Sequence, residues 1–95
     1  MRGLQPWLSP YADWLVSLYP YGRVTSTYRS YSDQLQLWLN RSSNPYPVAP
    51  PGQSYHQYGR AFDFTAPGDV LQQLGQIWQQ LGGTWSERDP IHFQA

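Results

Sequence analysis

Two histidines and one aspartate, His56, His92 and Asp63, are the residues of this chain whose types suit metal chemistry. Side chains alternate between the two faces of a strand. A strand over residues 60–65 would therefore bury the two phenylalanines that flank Asp63 and leave its carboxylate on the opposite, polar face. Gly59 gives the backbone freedom for a turn that brings His56 back towards Asp63. Two imidazole nitrogens and one carboxylate oxygen make a three-ligand zinc site with a fourth position open to water. Spacing alone leaves a second interpretation, in which the histidine lies on the surface and the aspartate is solvated or caps a turn.

The first element that must support these residues is a helix over residues 10–19. Ser9 is placed to cap this helix, and Pro10 is placed at its first position. Apolar residues at helical spacing predict a core-facing stripe made of Tyr11, Trp14, Leu15 and Leu18. We expect this helix to serve as scaffold.

Residues 23–28 are a β-branched run that predicts a strand. A second helix is predicted from Ser32, with Ser30 as its cap. Its predicted core stripe comprises Tyr31, Leu35, Trp38 and Leu39. Gln34 lies off that stripe, where it could face the site. From spacing alone, Arg29 is an ordinary exposed arginine.

Residues 40–53 form a long connection whose four prolines exclude regular structure. A loop of this length in a small domain is usually functional or disordered. Because the loop leads directly to His56, we interpret it as the rim of a cleft.

A third helix is predicted over residues 68–81, and the two glycines after it supply the left-handed residue with which helices often end. Short strands are predicted at residues 84–85 and 91–93. The order of these elements predicts an α+β fold with about three helices and a small, mostly antiparallel sheet.

Composition restricts the class of protein. The 95 residues predict one domain, spanning 1–95, and 40% apolar with 17% aromatic residues predict a folded chain. Net charge is zero, with six arginines and no lysine, which argues against nucleic acid and anionic membranes as partners. The absence of cysteine excludes disulfides and thiolate ligands. The first residues lack the apolar run of a secretory signal, and no segment is long and apolar enough to span a bilayer.

Separated segments of the chain resemble the zinc peptidases that cut bacterial cell-wall peptides, a family with the Hedgehog/DD-peptidase fold. Those segments are Ser54-x-His56-x-x-Gly59-x-Ala61-x-Asp63, Gly82-Gly83-x-Trp85 and Asp89-x-x-His92-Phe93. An upstream segment, Thr25-Ser26-x-Tyr28-Arg29-Ser30 with Gln34 after it, is similar to another recurring part of the family. The resemblance covers about residues 22–94.

The resemblance implies that the His–Asp–His set binds one zinc ion and that Asp89 is the catalytic carboxylate. Zinc can lower the pKa of water to about 7, and a nearby carboxylate can move the proton to the leaving amine. Arg29 matches the arginine that polarises the substrate carbonyl, and Ser54 matches a residue near the bound peptide. Gln34 and Tyr55 are further candidates for substrate binding. Five tyrosines could line the cleft by stacking, although about half of them are expected to pack in the core: Tyr21, Tyr28, Tyr46, Tyr55 and Tyr58.

Several alternatives stay open at this point. Glu87, two residues before Asp89, is the rival for the base. An aspartate at 89 resembles the endopeptidase branch and favours the L-Ala–D-Glu bond of the peptidoglycan stem peptide. The alternatives are a D-Ala–D-Ala carboxypeptidase and a non-catalytic, zinc-stabilised wall-binding domain. We expect a monomer that is made in the cytoplasm and reaches the cell wall by phage release or in a particle, as an endolysin does.

Overall fold

A four-stranded antiparallel sheet and three α-helices make up the fold, described for all 95 residues by a computed structural model. This architecture confirms the predicted α+β class. The elements are α1 (Ser9–Ser17), β1 (Arg23–Ser26), α2 (Tyr31–Leu39), β2 (Ala61–Thr65), α3 (Gly68–Gln80), β3 (Thr84–Trp85) and β4 (His92–Gln94). Short 3₁₀ turns occur at Arg41–Ser43 and Tyr55–Tyr58. None of the helices is long and apolar enough to cross a membrane.

The sheet has the strand order β1-β2-β4-β3, so β2 and β4 are its central strands. Phe62 of β2 lies directly opposite Phe93 of β4, and the two buried rings are stacked with centroids 5.1 Å apart. Trp78 of α3 contacts both rings edge-on. Because side chains alternate along a strand, the neighbouring pair Asp63 and His92 projects from the other face of the same two strands. The aromatic cluster thus fixes the register that sets these two polar side chains side by side.

Helix α1 differs from the prediction in its cap and in part of its buried face. The residue that caps it is Leu8, whereas the Ser9 side chain bonds to the N-terminal residue instead. The predicted stripe is right for Leu15, which is fully buried. It is wrong for its other members, which are about half exposed: Tyr11, Trp14 and Leu18. The stripe that enters the core consists of Leu8, Ala12 and Leu15.

Helix α2 is capped by the Ser30 hydroxyl, which accepts a hydrogen bond from the Asp33 N–H, as predicted. Its predicted core stripe is wrong, because no α2 side chain belongs to the hydrophobic core. Tyr31 and Leu39 are more than 60% exposed, and the buried residue is Gln34. The contacts that Gln34 makes with the rest of the domain are polar and are described below.

Two glycines act as predicted. Gly59 has φ +65° at the end of the 3₁₀ turn that contains His56, and Gly82 has φ +99° just beyond α3. Both conformations are ones that side-chain-bearing residues rarely adopt. In α3, the buried residues are Leu71, Leu74, Gly75 and Trp78.

Candidate metal centre and cleft

A cleft of about 470 Å³ lies between the proline-rich loop and the polar face of the sheet. Six residues of the loop line it, which confirms the prediction that residues 40–53 form a rim: Asn44, Tyr46, Pro47, Val48, Ala49 and Gln53. The other side is lined by the residues singled out from the sequence: Arg29, Gln34, Ser54, Tyr55, His56, Asp63, Asp89 and His92. The structure therefore brings all eight candidate site residues to one cavity.

His56, Asp63 and His92 meet at the floor of this cleft. The Nε2 atom of His56 lies 3.2 Å from Oδ1 of Asp63, and the Nδ1 atom of His92 lies 3.3 Å from the same oxygen. One ligand atom from each residue lies within 4.8 Å of the other two, so the group could hold a metal ion. Bonds of about 2.0–2.1 Å at tetrahedral angles place zinc ligands about 3.3 Å apart, which the two distances to Asp63 match.

In each histidine, the ring nitrogen that does not face Asp63, here called the far nitrogen, has an oxygen partner. These partners determine which ring nitrogen carries the hydrogen, and the result suits a cation. Nδ1 of His56 lies 2.6 Å from the Thr27 carbonyl oxygen, and Nε2 of His92 lies 2.7 Å from Oε1 of Gln94. Both oxygens are acceptors, so each far nitrogen carries the hydrogen in a neutral imidazole. The near nitrogens then direct lone pairs at the Asp63 carboxylate. Three acceptor atoms in this arrangement repel one another unless a positive charge lies between them.

The direction of the pKa shifts agrees with a site that favours positive charge. Burial opposes the ionised form of Asp63, but hydrogen bonds with His56 and His92 outweigh it and hold the pKa of this carboxyl well below its usual range. Burial also opposes the charged form of His92, yet hydrogen bonds to Asp63 and Gln94 raise its pKa. These hydrogen bonds require a hydrogen on a near ring nitrogen, which supplies positive charge between the rings and the carboxylate.

Arg29 is the cation nearest to this centre and is not the exposed residue that spacing alone suggested. Its guanidinium donates hydrogen bonds to Gln34 Oε1 and Ser26 Oγ, both at 2.9 Å, and to Asp63 Oδ2 at 3.3 Å. A bulge in β1 just before Ser26 shifts the register so that Ser26 faces Asp63. These bonds use three of the five N–H donors of the guanidinium, and the side chain is 17% exposed. Two donors therefore remain for a ligand in the cleft.

Asp89 lies in the cleft, and Glu87 does not. Two consecutive turns position Asp89: its N–H donates to the Ser86 carbonyl at 3.2 Å, and its carbonyl accepts from the His92 N–H at 3.0 Å. Burial raises the pKa of its carboxyl, with the charge of Asp63 adding to the shift and the charge of His92 opposing it. Glu87 is exposed, beside a separate hollow, where the Gln72 side chain donates to it at 3.4 Å.

Three predicted substrate residues differ in how free they are to bind. Ser54 is a buried residue that lines the cleft, and Tyr55 is 38% exposed with the Arg60 guanidinium 5.1 Å from its ring centroid. Gln34 is already engaged, since its amide accepts from Arg29 and donates to the Ala49 carbonyl at 2.7 Å.

The prediction that about half of the named tyrosines pack in the core is wrong, because all are exposed: Tyr21, Tyr28, Tyr46, Tyr55 and Tyr58. Only Tyr46 and Tyr55 line the cleft.

Sequence reasoning missed two side chains of the site, Ser26 and Gln94. Ser26 supports Arg29, and Gln94 contacts His92. Gln94 had a usable signal, because it lies two residues after His92 and therefore on the same face of the strand. Ser26 lies in a segment that resembles the family, but its bond to Arg29 depends on the bulge in β1, which the sequence did not predict.

Comparisons with known proteins place these observations in a family. A sequence model described as VanY, D-alanyl-D-alanine carboxypeptidase, matches residues 20–88. The match ends one residue before Asp89, so the positions of Asp89 and His92 are supported by the geometry described above. No curated protein sequence matches the chain significantly.

Solved structures share the fold. The chain matches a variant of the vancomycin resistance D,D-pentapeptidase VanY from a VanB-type cassette, solved in complex with Zn(II), with a TM-score of 0.72 at 21% identity. That match covers 96% of this chain and 71% of the other. For the Serratia marcescens L-Ala D-Glu endopeptidase ChiX the TM-score is 0.67 at 19% identity, covering 98% and 80% of the two chains. The LdcB LD-carboxypeptidase gives a TM-score of 0.73 at 20% identity, covering 97% and 65%.

Proposed function

Because this chain belongs to the D-alanyl-D-alanine carboxypeptidase family of peptidoglycan peptidases, we propose that it is a zinc enzyme that hydrolyses an amide bond in peptidoglycan stem peptides. The observation that carries the proposal is the convergence of His56, Asp63 and His92 in one cleft with a partly buried arginine and a second carboxylate. A structural metal site needs neither of those two additional groups. Their presence favours catalysis over a wall-binding domain that zinc merely stabilises.

His56 Nε2, Asp63 Oδ1 and His92 Nδ1 are the atoms that would hold the zinc ion, since they face one another and their partners fix both tautomers. When bound, zinc acts as a Lewis acid that polarises the substrate carbonyl and makes water more acidic. The second carboxylate oxygen of Asp63 stays bonded to Arg29. Such bonds to a ligating carboxylate orient it towards the metal.

Asp89 is the group that we assign to proton transfer. A carboxylate oxygen of Asp89 accepts a proton from the attacking water and returns it to the nitrogen of the leaving amine. Burial supports this role, because a raised pKa makes the carboxylate a stronger base. The two turns around Asp89 link it to His92, so base and metal ligand are positioned together.

Arg29 and Ser54 are the groups that we assign to the substrate. An N–H donor of Arg29 that makes no bond within the protein can bind the carbonyl oxygen as negative charge develops on it, and the loss of one such donor typically costs about 100- to 1000-fold in rate. The hydroxyl of Ser54, a residue that lines the cleft, can bond the peptide backbone. Tyr46 and Tyr55 offer half-exposed rings on which a stem peptide can pack.

For the bond that is cut, we propose the internal L-Ala–D-Glu bond. An aspartate at position 89 favours it, because that residue resembles the endopeptidase branch of the family. The second candidate is the D-Ala–D-Ala bond, which the description of the matching family favours. Both substrates carry a carboxylate on the residue after the scissile bond, so the charge of the cleft does not separate them.

Mass spectrometry of muropeptides after digestion with zinc-loaded protein tests both the proposed peptidase activity and the proposed bond. Cleavage at L-Ala–D-Glu releases a stem peptide that begins with D-Glu and leaves L-Ala on the muramic acid. Carboxypeptidase action removes one terminal alanine and leaves the rest intact. Unchanged muropeptides, with a protein that binds zinc and is folded, would refute the enzymatic proposal.

A further inference from the structure

The two histidines of the centre have different supports. The far nitrogen of His56 donates to a main-chain oxygen, the Thr27 carbonyl, at 2.6 Å. The far nitrogen of His92 meets a side chain, Oε1 of Gln94, at 2.7 Å. A main-chain support depends on the fold alone, whereas a side-chain support can be changed by substitution. The orientation of His92 is therefore the more adjustable part of the centre.

The backbone of Gln94 is held firmly enough for its side chain to orient a ring. Gln94 pairs with Ala61 of β2 on one side and with Thr84 of β3 on the other. Its carbonyl accepts a hydrogen bond of 2.9 Å from the indole N–H of Trp78, a fully buried residue of the core. Since His92 and Gln94 are two residues apart in a strand, their side chains lie on the same face.

The contact between His92 Nε2 and Gln94 Oε1 determines which ring nitrogen His92 offers to a cation. An imidazole that is free to rotate can offer either nitrogen to a cation, and the hydrogen bond made by the other nitrogen decides which one it offers. An acceptor at 2.7 Å holds the hydrogen on Nε2 and leaves the lone pair on Nδ1, which faces Asp63 Oδ1 at 3.3 Å. Without that acceptor, the ring can turn and present Nε2 instead.

We propose that Gln94 is a positioning residue for the metal centre: it holds His92 in the Nε2–H tautomer and thereby directs Nδ1 to the zinc ion. The inference deepens the proposed function and rests on the same three ligands. Removal of an outer partner of a metal-ligating histidine typically weakens metal binding by about 10- to 100-fold. We expect a loss of that size for Gln94→Leu.

The experiment measures the zinc Kd of the full chain by competition with a chelating dye. Gln94→Leu should bind zinc about 10- to 100-fold more weakly than the native chain, and Gln94→Glu should restore binding, because a carboxylate is a stronger acceptor. Gln73→Leu is the matched control, since this exposed glutamine of α3 makes no side-chain hydrogen bond and should keep the native Kd. A Kd for Gln94→Leu within twofold of the native value would overturn the proposal.

Nitrogen NMR of the zinc-loaded native chain gives a reading that needs no variant. The His92 ring should carry its hydrogen on Nε2 and its metal on Nδ1, and metal on Nε2 would overturn the proposal. His92→Ala separates this inference from the site itself. If His92→Ala loses zinc while Gln94→Leu keeps it, only the role of Gln94 fails. If His92→Ala binds zinc normally, the ligand set and this inference both fail, while peptide cleavage is judged independently by the muropeptide assay.

Discussion

Asp89→Asn is the substitution that best separates chemistry from metal binding. Asparagine keeps the shape of the half-buried side chain and removes its ability to accept a proton. General acid–base groups typically contribute about 10²- to 10⁴-fold to rate, so we expect kcat to fall by at least about 100-fold, or about 2.7 kcal/mol in the barrier. Asp89 is not one of the three groups that could hold the metal. The zinc Kd should therefore change by less than about tenfold, the effect of a nearby charge.

The same substitution should change stability in a direction set by the pKa of Asp89. Burial raises that pKa in the folded chain above the unfolded value of about 3.9. The unfolded chain loses the Asp89 carboxyl proton at a lower pH than the folded chain does. At neutral pH, the ionised Asp89 therefore lowers the free energy of unfolding. We expect metal-free Asp89→Asn to melt at a higher temperature than the native chain at pH 7. The difference should disappear as the pH falls below the unfolded pKa.

Glu87→Gln is the control for both measurements, because Glu87 is a carboxylate two residues away that lies outside the cleft. It should keep native kcat in a muropeptide-release assay followed by chromatography. The assignment of Asp89 would be refuted if Asp89→Asn kept kcat within threefold of native. A large loss of kcat in Glu87→Gln would refute the placement of the base.

Three further predictions concern the metal, the oxyanion donor and the core. Zinc at about 100 times its Kd adds about 2.7 kcal/mol of stability, so it should raise Tm by roughly 10–20 °C, and His56→Ala should abolish that rise. An equal Tm with zinc and with chelator would contradict the site. Arg29→Lys should lower kcat by about 100-fold or more, because one ammonium cannot replace a guanidinium that makes three hydrogen bonds, and a native rate would contradict its role. Gly75→Ala should cost about 1–3 kcal/mol in urea unfolding, because its Cβ would meet the Trp85 ring. Gly68→Ala, with no atom within 4 Å of the added Cβ, should cost nothing, and equal effects would contradict the packing argument.

The sequence predicted most of the centre because the centre depends on local rules. Strand alternation placed Asp63 opposite the buried phenylalanines, and the left-handed Gly59 ends the turn that carries His56. The position of His92 beside Asp63 could not be derived in this way, since the pairing of β2 with β4 joins residues 29 positions apart. It came from the resemblance of separated segments to a known family.

The buried faces of α1 and α2 were harder to predict because periodicity identifies stripes but not their partners. Helix α1 carries two apolar stripes, and the one with smaller side chains, including Ala12, enters the core while the aromatic one stays half exposed. The buried residue of helix α2 is Gln34, which bonds to Arg29 and to the Ala49 carbonyl. This helix therefore faces the polar network of the cleft, and its Tyr31 and Leu39 are exposed.

The hydrogen bonds of Gln34 and Arg29 form a continuous network from the rim of the cleft to its floor. The Ala49 carbonyl of the loop bonds to Gln34, Gln34 to Arg29, and Arg29 to Asp63, which faces both histidines. On the opposite face of the sheet, the stacked Phe62 and Phe93 hold β2 and β4 in the register that the centre requires. The aromatic face excludes water, so the core beneath the cleft fixes the geometry of the candidate metal centre.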